Sequence, residues 1–195
     1  MLSERIYKRF RESVEAKMEV GESLTPLLEK AGDKITQALL NEKKLLVCGN
    51  GASSAISQIF ASSMLDRFEK ERPSLPAIWL GGNVSTYTSI AADNSFNNIY
   101  SKPIRALGQE GDILVLLSTS GNSPNIVQAI GAAHDRNMNV ISLTGRDGGD
   151  ISALMDVEDI EIRAEVNSRA HIHEIHLLCV FCLCDLIDVQ LFGLD

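Results

Sequence analysis

The chain has 195 residues, 45% of them hydrophobic, and a net charge of −8. That length suits one domain with a full core, and the acidic balance argues against direct nucleic-acid binding, which needs a basic footprint. No run approaches ~18 consecutive apolar residues, so no membrane span is expected, and the charged start "MLSERIYKRF" lacks the apolar region of a signal peptide, which points to a cytoplasmic location.

Residues 3–41 carry apolar positions at helical spacing. "KKLLVC" (43–48) is a short apolar run that ends in "GNGASS" and leads into a helical pattern reaching about Phe68. "ERPSLP" is a loop punctuated by two prolines, and Arg67, Glu69, Lys70, Glu71 and Arg72 before it read as a solvated helix end. "AIWL" (77–80) is a second strand, with Trp79 as a core residue, and a helix follows at 84–92. "DILVLL" (112–117) is the third strand, followed by a helix from Pro124 to about Arg136. "NVISLTG" (139–145) and "DIEIR" (159–163) are the fourth and fifth strands, and 169–192 is a long, very apolar helix. Short apolar strands alternating with helices imply an α/β fold: a three-layer α/β/α sandwich on a five-stranded parallel sheet, with long N- and C-terminal helices. One domain is expected over 1–195, made of a helical segment (1–41) and an α/β core with its last helix (42–195).

Two strand-to-helix turns, "CGNGASS" and "LSTSGNS", are rich in Gly and Ser. In parallel sheets ligands gather at the carboxyl ends of strands, and free amides at helix starts favour anions. Asn50, Gly51, Ser53, Ser118, Thr119, Ser120 and Ser123 are therefore candidate ligand residues, with Pro124 at the first helical position and Ser123 as N-cap. No Gly-Lys-Ser/Thr follows either turn, and "GNGASS" lacks the third glycine of a dinucleotide fingerprint. A small sugar phosphate fits better than a nucleotide. "GRDGGD" after the fourth strand is a turn that could also face the ligand.

Taken together, "CGNGASS", "STSGNS" and "LTGRDGGD" resemble the sugar isomerase (SIS) domain over nearly the whole chain, and within it the phosphoheptose isomerase group. "ERPSLPAI", "IRALG", "DIEIR" and "CLCDLID" with "LF" after it look closest to the DiaA branch, the DnaA initiator-associating proteins. The resemblance implies a homotetramer with a phosphate site at Ser53, Ser118, Thr119, Ser120 and Ser123. The isomerases of the group are similar in carrying a His and a Glu on the helix after the GNG turn; here Ile59 and Ser63 stand at those places. On the last helix Ala170, His173 and Phe181 replace an Asp, a Gln and a His, while Asp93, Glu174 and His176 survive. The acid–base set is thus mostly dismantled, and with it, by resemblance, the metal site. Asp93, His173, Glu174 and His176 are the remaining catalytic candidates.

His173, His176, Cys179 and Cys182 recur at spacings of three, but four ligands from one helix cannot surround a metal, so neither metal nor other cofactor is expected. The four cysteines suit reduced, buried thiols. The expectation is a weakly catalytic or non-catalytic phosphosugar-binding protein whose partner is a DnaA-type initiator, gripped by Leu191 and Phe192 where Gly193 ends the last helix. The alternative is sedoheptulose 7-phosphate isomerase of lipopolysaccharide heptose biosynthesis.

Overall fold

Five short strands pair in parallel in the order β2-β1-β3-β4-β5. They are β1 (Leu45–Gly49), β2 (Ala77–Trp79), β3 (Ile113–Ser118), β4 (Asn139–Gly145) and β5 (Ile160–Ala164). The computed structural model describes residues 1–193. β1 and β3 are buried along their whole length, as strands covered on both faces must be. Their side chains alternate between two cores: Leu45, Val47 and Val115 face one layer, while Leu46, Cys48 and Leu116 face the other.

The first layer contains α1 (Leu2–Leu40), α2 (Ala52–Leu65) and α7 (Arg169–Phe192). α3 (Val84–Asp93), α4 (Ser101–Leu107) and α5 (Pro124–His134) cover the opposite face, and the short α6 (Gly149–Ser152) follows β4. The sandwich and its terminal helices match the sequence expectation. α4 was not expected. It is two turns long and carries Pro103, but near a helix start the missing N–H removes no intrahelical bond. Tyr100, immediately before it, is buried and donates its hydroxyl to the Gly49 carbonyl, which ties this layer to the end of β1.

α1 and α7 cross closely because Gly32 leaves room: a Cβ there would stand 3.2 Å from the Leu186 Cβ. α7 is long and apolar enough to cross a membrane by length and composition alone. Here it serves as a core helix, with Ile172, Ile175, Val180, Leu183 and Ile187 buried. Leu191 and Phe192 are both half-buried against the same core. The helix ends at Gly193, which is left-handed at φ 63° and donates its amide to the Val189 carbonyl.

Arg72 departs from the solvated helix end expected of its charge run. Its side chain is 1% exposed. Nε donates to Asp188 at 2.8 Å, and the terminal nitrogens donate to the Met64 and Ser63 carbonyls at 2.7 and 2.6 Å. The guanidinium thus satisfies the open carbonyls at the end of α2 and pins that end to α7.

Candidate functional site

Strand order reverses between β1 and β3, the position where open parallel sheets place their ligands. The two Gly/Ser turns leave the sheet side by side at this point. Asn50 and Asn125 exchange amide hydrogen bonds, each 2.8 Å, and lock one turn to the other. Within the second turn the Gly121 amide donates to Ser118 Oγ at 3.2 Å, and the Asn122 amide to Ser120 Oγ at 3.3 Å. A third turn, "GRDGGD", supports these from behind, since the Asp150 amide donates to Asn122 Oδ1 at 2.8 Å.

A cleft of about 290 Å³ opens between the turns, near the lower end of the ~300–1,000 Å³ usual for ligand sites. Its wall includes Asn50, Ser53, Ser118, Thr119, Ser120 and Ser123. Of the expected ligand residues only Gly51 is outside it; that glycine, at φ 57°, serves to turn the chain into α2. Ser123 occupies the N-cap of α5 but its hydroxyl makes no capping bond, so it stays available to the cleft. Arg146, Arg169 and His173 complete the wall with Leu117. No carboxylate is among the lining residues, so an acidic protein presents a locally cationic cleft. Arg146 is held at φ 58°, a left-handed conformation uncommon outside glycine, of the kind that concentrates at functional sites.

The four catalytic candidates separate. His173 lies in the wall, and both of its ring nitrogens are buried without a hydrogen-bond partner among the described residues. Burial, with the Arg169 charge beside it, lowers its pKa from the ordinary histidine value. Glu174 turns away to α1, where it accepts from Lys17 Nζ at 2.8 Å and from the Ser13 hydroxyl. Burial opposes its ionisation, but these donors hold the carboxyl below its usual range. His176 is wholly buried beneath β4 and donates Nε2–H to the Thr144 carbonyl at 2.8 Å. Burial outweighs that bond and brings its pKa down to about 4. Asp93 is exposed at the end of α3 and accepts from Ser89 Oγ at 3.2 Å, outside the cleft. Ile59 and Ser63 are not in the wall either. Among the described residues, no three His, Cys, Asp or Glu side chains gather closely enough for a metal ion; Cys179 is buried and Cys182 half-buried.

Sequence reasoning missed Asn125 and Arg169, and it reached Arg146 only as part of the "GRDGGD" turn that could face the ligand. Asn125 could have been noticed as a buried amide at the start of a helix following a ligand turn. A single arginine after a strand or at a helix start carries no spacing signal.

A profile of the SIS domain matches residues 9–145. Among curated proteins the chain is 57% identical to the phosphoheptose isomerase of Chromohalobacter salexigens over 189 residues, covering 97% of this chain and 96% of that one. It is 51% identical to the phosphoheptose isomerase of Coxiella burnetii over 190 residues, with 97% and 96% covered. A solved phosphoheptose isomerase from Francisella tularensis superposes with a TM-score of 0.94 at 44% identity, covering 96% of this chain and 98% of that one. The chain belongs to the phosphoheptose isomerase family of SIS-domain proteins.

These relatives overturn the expectation of a DnaA-binding replication protein, because the full-length likeness is to isomerases. The segments that suggested it have structural work instead. Arg72 of "ERPSLPAI" pairs with Asp188 of "CLCDLID". In "DIEIR", Arg163 Nε donates to Glu161 at 3.1 Å, and the Gly108 carbonyl of "IRALG" accepts from Arg136 Nε at 2.9 Å.

Proposed function

We propose that this protein is a sugar-phosphate isomerase acting on sedoheptulose 7-phosphate, in the service of lipopolysaccharide heptose biosynthesis. The observation that carries this reading is the cationic, hydroxyl-lined cleft at the β1/β3 switch point, in a chain so similar to phosphoheptose isomerases. Ser53, Ser118, Thr119, Ser120 and Ser123 are the neutral donors for the phosphate oxygens, and Arg146 supplies charge. With the phosphate anchored, the carbonyl end of the sugar extends along the same cleft. Isomerisation then moves one proton between C1 and C2 of the chain.

Residues 1–41 and 42–195 act as one domain in this reading. It assembles as a homotetramer, for which the exposed apolar positions Ile6, Phe10, Val14 and Met18 of α1 offer a face. Four free thiols, three of them buried, suit a reducing cytoplasm. The test is incubation of the pure protein with sedoheptulose 7-phosphate and measurement of the aldose formed. Turnover on the order of 1–10³ per second is expected of an ordinary enzyme. Product at the rate of a protein-free control would overturn the reading.

A further inference from the structure

The cleft wall contains two arginines, four serines, a threonine, an asparagine and a leucine besides His173. Of these side chains only the imidazole can both take up and release a proton near neutral pH. The charged or titratable groups around it are Arg169 and His176 on its own helix and Arg146 on the loop after β4. No carboxylate is among the cleft's lining residues, and Glu174 is engaged by Ser13 and Lys17 on α1. Both ring nitrogens are shielded from water and have no partner among the described residues. A buried polar group left unsatisfied is costly, and a group that a substrate will satisfy is one reason for such a cost to persist.

We propose that His173 is the catalytic proton carrier of this cleft. The proposal rests on the isomerase reading above. Neutral imidazole takes a proton from C1 of the ketose; the C1–H electron pair forms the C1=C2 bond, and the carbonyl pair moves onto O2. The guanidinium of Arg169 stabilises the resulting enediolate oxygen. The imidazolium then returns its proton to C2 while the O1 proton passes to O2, leaving the C1 aldehyde. Atoms and charge balance with no other reactant. The low pKa of His173 fits this role, because burial and the Arg169 charge keep the ring neutral and ready to accept a proton at neutral pH.

The test compares the native protein with His173→Asn in the isomerase assay, with sugar-phosphate binding followed by thermal shift. Loss of about 10²–10⁴-fold in kcat is expected with the binding shift retained. The native protein should also show an acidic limb in its kcat/KM profile below pH 6.5, absent in His173→Asn, and should incorporate deuterium from D2O at C2 of the product. A variant within a few-fold of the native rate, with the acidic limb intact, overturns the role of His173 and leaves the isomerase reading standing. A native protein without turnover overturns both. If the variant fails to fold, the native His173 ring protons are followed by NMR as sedoheptulose 7-phosphate is added. Their movement supports the proposal and their indifference sinks it.

Discussion

Gly121 has a conformation and a neighbour that exclude every other residue. Its φ is 70°, and a Cβ would lie 1.9 Å from the Gly148 carbonyl oxygen. Gly121→Ala therefore meets both left-handed strain, about 1–3 kcal/mol, and a clash with backbone that must push the two turns apart. The expected outcome is a lower melting temperature together with loss of the sugar-phosphate thermal shift, since Ser120 and Ser123 flank the glycine. An unchanged shift would separate the turn from binding. Ser120→Glu is the charge counterpart of this test. At ten times Kd the sugar phosphate should stabilise the native fold by roughly 1.4 kcal/mol, and a carboxylate in the anion's place should abolish that gain. His176 makes a different prediction. It is neutral in the fold, with a pKa of about 4 against 6.5. The unfolded chain therefore binds more protons between these values. Its contribution is fully present above pH 6.5 and declines toward pH 4, by on the order of 3 kcal/mol. Glu161 and Glu174 are held below the usual carboxylate range, so their contributions fade only below about pH 4.5. Urea melts of His176→Gln should thus show a shallower decline than the native protein between pH 6.5 and 5, and equal slopes would refute the assignment.

Among the elements, α2 and α7 depend on one ion pair more than on any turn. Arg72 and Asp188 are 1% and 7% exposed at their side chains, and Arg72 also serves carbonyls at the end of α2. Arg72→Met would leave Asp188 charged and unpaired in the core, a loss of about 3–5 kcal/mol by chemical denaturation. Arg72→Met combined with Asp188→Leu should recover part of that loss, because no isolated charge then remains. A single variant as stable as the native protein would show that the pair is idle. Strands β1 and β3 were legible as elements because continuous apolar runs bounded by Gly and Ser are local signals. α4 was not, because two turns of helix carry too few positions to show a period.

For the whole molecule, the N-terminal half of α1 is the feature that a single copy does not explain. From Ala16 onward the helix packs on the core, but Ile6, Phe10 and Val14 remain 60%, 69% and 59% exposed. Positions four apart share one helix face, so these side chains form a stripe. Symmetric assemblies cover such stripes with the same stripe from another copy. Light scattering should give a mass well above 21.3 kDa for the native chain, and Ile6→Lys with Phe10→Lys should lower it. A native monomer, or an assembly indifferent to the two lysines, would rule the face out.

By itself the sequence determined the layers, the five parallel strands and the two hydroxyl turns, because periodicity and turn chemistry act between near neighbours. Gly193 ending α7 and Pro124 opening α5 belong to the same class. Only the tertiary structure decided which polar residues meet. It joined Asn50 to Asn125 across 75 positions and Arg72 to Asp188 across 116, and it drew Arg146 and Arg169 to one cleft. It also parted two neighbours, aiming His173 into the cleft and Glu174 at α1. Adjacent residues on a helix point about 100° apart, and the packing around α7 determines which of them faces a ligand.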